Sequence, residues 1–252
     1  MNKKQQSELA DWFKMGALFH DAFPDFGPIW NDLSEKAGLE REDHALGMLL
    51  HQFKSIMVIG QHVFYSSNCV HRYSRTEASN TYESYVQFHF YNFITRVKTS
   101  LDMHALMVNH IYEFGLGGSE CNLEKGALAN RLQSDVGNRR LGSCLDRERN
   151  DWIKAFVQMR NLLLHRTVLD FVIGSLDGGG LVQVPVGTML RVPEERETLE
   201  RFLNGIYILI PNSCMLDPVA ICDALCEKWK ALSISILALS EDRIRELIQQ
   251  NN

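Results

Sequence analysis

The stretch Asn150-Asp-Trp-Ile-Lys-Ala-Phe-Val-Gln-Met-Arg160-Asn-Leu-Leu-Leu-His165-Arg-Thr-Val-Leu-Asp170 decides how the rest of the chain is read. Trp152, Ile153, Phe156, Val157, Leu163 and Leu164 recur at the spacing of a helix face that packs against neighbours. At about 100° per residue, Arg160 falls in the middle of that face, within roughly 40° of Ile153, Phe156 and Leu164. A permanent charge in an apolar stripe is costly unless it has a partner or a task. The spacing therefore predicts a core-facing helix that carries a cation with either a partner or a task. The remaining segments read as the bundle built around it.

Long apolar-periodic segments lie on both sides of this helix. Thr81 to Phe114 repeats Val86, Phe90, Ile94, Val97, Leu101, Ala105, Val108 and Tyr112 at intervals of three and four, and Gly115, Gly117 and Gly118 stop it. Lys98 and Asp102 sit four apart and can pair on its surface. Asp217-Pro218 has the form of a helix start, with Asp at the cap and Pro in the first turn. Val219 to Gln249 then carries Ile221, Leu225, Trp229, Leu232, Ile236 and Leu239 on one side. Ser119 to Asn138 suggests a less regular helix, and Gly137 to Ser143 a turn.

Other segments are read more briefly. Ser7 to Phe23 and Ile29 to Lys36 read as helices. Glu42 to Phe64 is apolar on most sides, and within it Ser55 to Tyr65 fits a helix or a buried strand. Ser66 to Ser79 reads as a loop or boundary. After the opening stretch, Phe171 to Ile173 and Leu181 to Val184 flank Asp177-Gly-Gly-Gly180, the pattern of a β-hairpin. Met189 to Val192 suggests a third short strand, Glu194 to Leu203 a brief helix, and Ile206 to Ile210 helix or strand. The expected fold is mainly α: residues 1–80 form an N-terminal helical extension, and residues 81–252 a helical domain with a small β-hairpin at about 171–192.

Composition sets bounds on function. Hydrophobic residues make up 45% and charged residues 23% of 252, enough for a real core. The net charge of −5 argues against binding nucleic acid by overall charge, though not against a local basic cleft. Four arginines in eleven residues, Arg139, Arg140, Arg147 and Arg149, make such a local patch. A solvated surface is one reading of it, and RNA phosphate contact the sharper one. Cys69, Cys121, Cys144, Cys214, Cys222 and Cys226 include no Cys-x-x-Cys pair, so reduced, buried thiols in a cytoplasmic protein are expected. No signal peptide and no membrane span are evident. His62, His71, His89, His104 and His110 are scattered without the spacing of a metal site, and no cofactor or metal is expected. The aromatic run Tyr82, Tyr85, Phe88, Phe90, Tyr91 and Phe93 suits packing first and base stacking second.

Arg160-Asn161-Leu-Leu-Leu-His165 is an Arg-x4-His pattern with a polar residue directly after the arginine. On these residues the chain resembles the HEPN superfamily of helical proteins, whose motif is Arg, four to six residues, then His, set in a bundle helix. The resemblance covers roughly Thr81 to Asn252. It implies a HEPN-like bundle and a metal-independent endoribonuclease, of the kind found in toxin–antitoxin and antiviral defence systems. Arg160 and His165 would be the catalytic pair and Asn161 would assist. RNA, an antitoxin or regulatory protein, and a second copy of the chain are the implied partners.

The residue types suit the chemistry. Histidine titrates near neutrality and can move the 2′-hydroxyl proton. Arginine's forked, permanent charge suits a phosphorane. Five residues turn a regular helix by about 140°, so the two side chains of one copy diverge. An irregular helix, or two copies facing each other, would bring them together. The plainer alternative pairs Arg160 with a carboxylate of another helix. A second functional class also fits: a non-catalytic module binding nucleotide, RNA or a protein partner.

Overall fold

The structure is a computed structural model that describes residues 21, 23, 26–39, 44–74, 80–165, 170–172, 181–185, 207–210 and 213–250. It is mainly helical. In chain order come α1 (Phe26–Leu39), α2 (His44–Ser74), α3 (Asn80–Ile111), α4 (Ala127–Ser134) and α5 (Arg139–Glu148). A π-helical turn (Arg149–Ile153) leads into α6 (Lys154–His165). Four strands follow, β1 (Asp170–Val172), β2 (Leu181–Pro185), β3 (Tyr207–Ile210) and β4 (Ser213–Leu216), and then α7 (Pro218–Gln250). The segment 7–20, expected as helix, and the segments 189–192 and 194–203 lie outside the described residues.

The chain divides into two compact units that interleave in sequence. The first takes residues up to His62, Lys98–Arg149 and those from Trp229 on; the second takes Val63–Val97 and Asn150–Lys228.

The first unit buries Leu33, Phe53, Leu101, Ala105, Val108, Leu132, Leu141, Trp229 and Ile236 at 2% exposure or less. Each large apolar side chain so buried contributes about 1.5–3 kcal/mol relative to exposure. Phe23 meets Trp229 edge to face, centroids 5.5 Å apart. Trp229 Nε1 donates to Ser100 Oγ at 2.9 Å, and the Ser100 carbonyl accepts from His104 Nδ1 at 2.7 Å. Trp229, Ser100 and His104 are thus linked in one buried polar chain. The α4–α5 pair closes at Gly142, where a Cβ would come within 2.8 Å of the Ala129 carbonyl oxygen and the Gln133 nitrogen.

The second unit buries Val70, Phe90, Phe93, Val97, Trp152, Phe156, Ile221 and Leu225. Its sheet is antiparallel, in the order β1-β2-β4-β3. An isolated hairpin over 171–192 is therefore not what forms. A two-stranded hairpin is marginal in water. Here β2 is bordered by β1 on one edge and by β4 on the other, with Val182 opposite both Phe171 and Leu216.

Three local expectations are corrected. The polar run Ser66–Ser74 continues α2 as helix, because Ser66, Ser67, Cys69, Val70 and Ser74 are buried rather than solvated. The supposed turn Gly137–Ser143 is mostly the first part of α5. The helix of Arg160 begins well before Asn150, at Arg139, and reaches it through the π-helical turn. Asp217 does cap α7: its Oδ1 accepts from the backbone nitrogens of Val219 at 2.8 Å and Ala220 at 3.2 Å. Of the six cysteines, Cys69, Cys121, Cys144 and Cys222 are buried thiols, and Cys226 is half-buried. Among the described residues no helix is long and apolar enough to cross a membrane.

Candidate functional site

α6 is anchored by its apolar positions. Trp152, Ile153, Ala155, Phe156, Val157, Met159 and Leu163 are buried, the face that the 3.6-residue period predicts. Two exposed polar contacts flank its entry. Lys228 of α7 donates to Asp151 in the π-helical turn at 2.6 Å, and Lys154 donates to Asn150 at 2.9 Å. A π-turn holds about one residue more than an α-turn and often marks a functional site. Here it precedes the motif by two turns.

Arg160 is half-buried on α6 rather than sunk in the stripe, and Asn161 is exposed. Arg160 Nη1 donates to Asn161 Oδ1 at 2.9 Å, so the amide orients the guanidinium. His165 is the last residue of α6, and its side chain lies outside the described residues. From Arg160 to His165 the backbone is unbroken α-helix. Those two positions therefore face about 140° apart. The irregular turn lies at Arg149–Ile153 and does nothing to close that angle. Of the two ways to unite the motif, an irregular helix is removed.

The four arginines divide. Arg139, Arg140 and Arg147 line one pocket of about 720 Å³ in the first unit, with Ser143 and Cys144 of α5 and Ser235 of α7. On α5 these residues make a stripe: Arg139, Ser143 and Arg147 are four apart, and Arg140 lies beside them. Among the described residues neither Arg139 nor Arg140 has a carboxylate partner. Arg147 bonds Glu148 at 2.8 Å and approaches the Cys144 sulfur at 3.9 Å. Burial pushes the Cys144 thiol up from its ordinary range, against the pull of Arg147. Arg149 is held apart. It bonds Asp146 at 2.6 Å, and a Cβ at Gly126 would meet its guanidinium at 2.5 Å. Gly126 adopts φ +78°, the left-handed region that favours glycine, whereas the Arg149 side chain could swing aside for a Cβ.

Comparison with protein-family models, with curated proteins and with solved structures finds no match for this chain.

Four histidines outside the motif make defined contacts. His71 bonds Asp223 at 2.7 Å, and His110 contacts Gln52 at 3.2 Å. His89 stacks on Tyr73 with centroids 5.7 Å apart, and burial lowers its pKa. His104 is fully buried and its pKa falls to about 4, through desolvation against the raising effect of its bond to Ser100. Among the described residues no group of three or more His, Cys, Asp or Glu is placed to hold a metal ion. Within the aromatic run, Phe90 and Phe93 are core, while Tyr85 and Phe88 reach solvent.

Ser235 and Cys144 were missed as pocket residues from sequence. The α5 stripe of Arg139, Ser143 and Arg147 was hidden by the expectation of a turn at Gly137–Ser143. Ser235 joins them from almost ninety residues away, and no local pattern announces that.

Proposed function

We propose that the chain is a metal-independent endoribonuclease of HEPN type whose cleft is shared between two copies. The observation that carries this reading is the Arg160–Asn161 pair on an unbroken helix that ends at His165. A half-buried guanidinium steered by a neighbouring amide suits a phosphoryl group that gains charge. His165 takes the proton of the 2′-hydroxyl, and the 2′-oxygen attacks phosphorus. Arg160 and Asn161 hold the non-bridging oxygens as the P–O5′ bond breaks. The leaving 5′-oxygen takes a proton from solvent and His165 gives up the one it took, leaving a 2′,3′-cyclic phosphate and a 5′-hydroxyl. The angle of about 140° between the Arg160 and His165 positions favours a reading in which they belong to different copies of a symmetric dimer. A toxin or defence effector is the role that the resemblance implies.

The test is RNA cleavage in EDTA by the wild type, Arg160→Ala, Arg160→Lys and His165→Ala. Loss of about 10²–10⁴ in rate for each alanine variant, with cyclic phosphate ends from the wild type, supports the proposal. Unchanged cleavage in the variants sinks it. RNA binding without cleavage by any form supports the non-catalytic module instead.

A further inference from the structure

The pocket on α5 combines features that a merely solvated patch lacks. Arg139 and Arg140 stand in the first turn of α5, where the helix dipole disfavours cations, and that turn holds no acidic residue. Among the described residues neither has a carboxylate to offset its charge. Arg147 returns to the same side two turns on. Ser143 and Ser235 add hydroxyls from two helices. Val136 and Leu239 add an apolar wall. The volume, about 720 Å³, falls within the range of small-molecule sites, roughly 300–1,000 Å³.

We propose that this pocket binds a nucleoside phosphate. Its phosphoryl group lies among Arg139, Arg140 and Arg147, and its base lies against Val136 and Leu239. Three guanidinium groups supply forked donors that match phosphate oxygens, and the serine hydroxyls can complete the set. The anion would also relieve the mutual repulsion of the arginines and their conflict with the helix dipole. The same phosphoryl chemistry could come from an RNA backbone. A compact ligand fits better, because Glu148 lies 2.8 Å from Arg147 and the chain carries a net charge of −5. Both features oppose a long polyanion more than a single phosphate. The site uses none of Arg160, Asn161 or His165, so it stands apart from the ribonuclease reading.

Isothermal titration of the full chain with adenosine 5′-monophosphate tests this, with adenosine, inorganic phosphate and a short single-stranded RNA as further probes. Saturable binding of one monophosphate per chain is expected. Adenosine and inorganic phosphate should each bind at least about tenfold more weakly. The double variant Arg139→Gln/Arg140→Gln should lose at least about tenfold in affinity. Arg131→Gln, an exposed arginine on α4, should bind as the wild type does. The arginines are exposed, and circular dichroism of the double variant shows whether its fold is kept. The proposal is overturned if the monophosphate does not bind, if adenosine matches it, or if the folded double variant keeps full affinity. RNA that binds more tightly than the monophosphate, and is lost in the same variant, overturns it in favour of a backbone-phosphate site.

Discussion

Replacing His104 with glutamine should flatten the acid side of the stability profile. His104 Nδ1 donates to the Ser100 carbonyl at 2.7 Å, so Nε2 is the nitrogen left to take a proton. Among the described residues Nε2 has no hydrogen-bond partner and is buried. Protonation would place a charged N–H in the core with nothing to receive it. The folded-state pKa accordingly drops from 6.5 to about 4. Above pH 6.5 the imidazole is neutral in both states and the shift costs nothing. As the pH falls through 6.5 the unfolded chain takes up a proton that the folded chain refuses, and stability declines until the folded pKa is reached. Between pH 7 and 4.5 that loss is roughly 2–3 kcal/mol. Urea denaturation followed by circular dichroism at both pH values, for wild type and His104→Gln, isolates it. Other groups titrate in both proteins, so the difference between their pH slopes reports His104. Glutamine can still donate to the Ser100 carbonyl but does not titrate. A variant that loses roughly 2–3 kcal/mol less than the wild type over that interval agrees with the reasoning. Parallel slopes would refute it.

Three further substitutions probe the frame that holds the two sites. Ser100→Ala strands the Trp229 indole N–H in the core and should lower stability by about 1–3 kcal/mol, read as a fall in the urea midpoint. Gly142→Ala pushes a methyl against backbone atoms of α4, so α4 and α5 must part; a loss of about 1–3 kcal/mol is expected, and an unchanged thermal midpoint would contradict the close approach. Asp217→Ala removes the cap of α7 at a cost of about 1 kcal/mol, whereas Asp217→Asn or Asp217→Ser should restore most of it.

What the sequence disclosed depended on whether the signal was local. The cap and first turn of α7 were legible in Asp217-Pro218, and the periodicity of α3 in its apolar repeats. α2 ran past its predicted end because serines read as solvated can be buried: Ser67 contacts the Cys222 thiol inside the second unit. The start of α5 was hidden because Arg139 and Arg140 are the wrong charge for a helix N-terminus, the same anomaly that now marks them for a ligand. The π-helical turn has no sequence signature, and β4 reaches β2 only through long-range pairing. For the motif, the helical wheel already held Arg160 and His165 apart. The structure adds that no irregular turn lies between them.

The shared cleft is tested most directly by mixing two inactive variants. In the proposed symmetric dimer, Arg160 of one copy would work with His165 of the other. A dimer of Arg160→Ala with His165→Ala then holds one doubly damaged site and one intact site. After subunit exchange in equal amounts, half of the dimers are mixed and half of their sites are whole, so about a quarter of wild-type cleavage should return. Recovery near that level in EDTA is the predicted result. A mixture as inactive as its components, from variants that each still dimerise, would contradict the account.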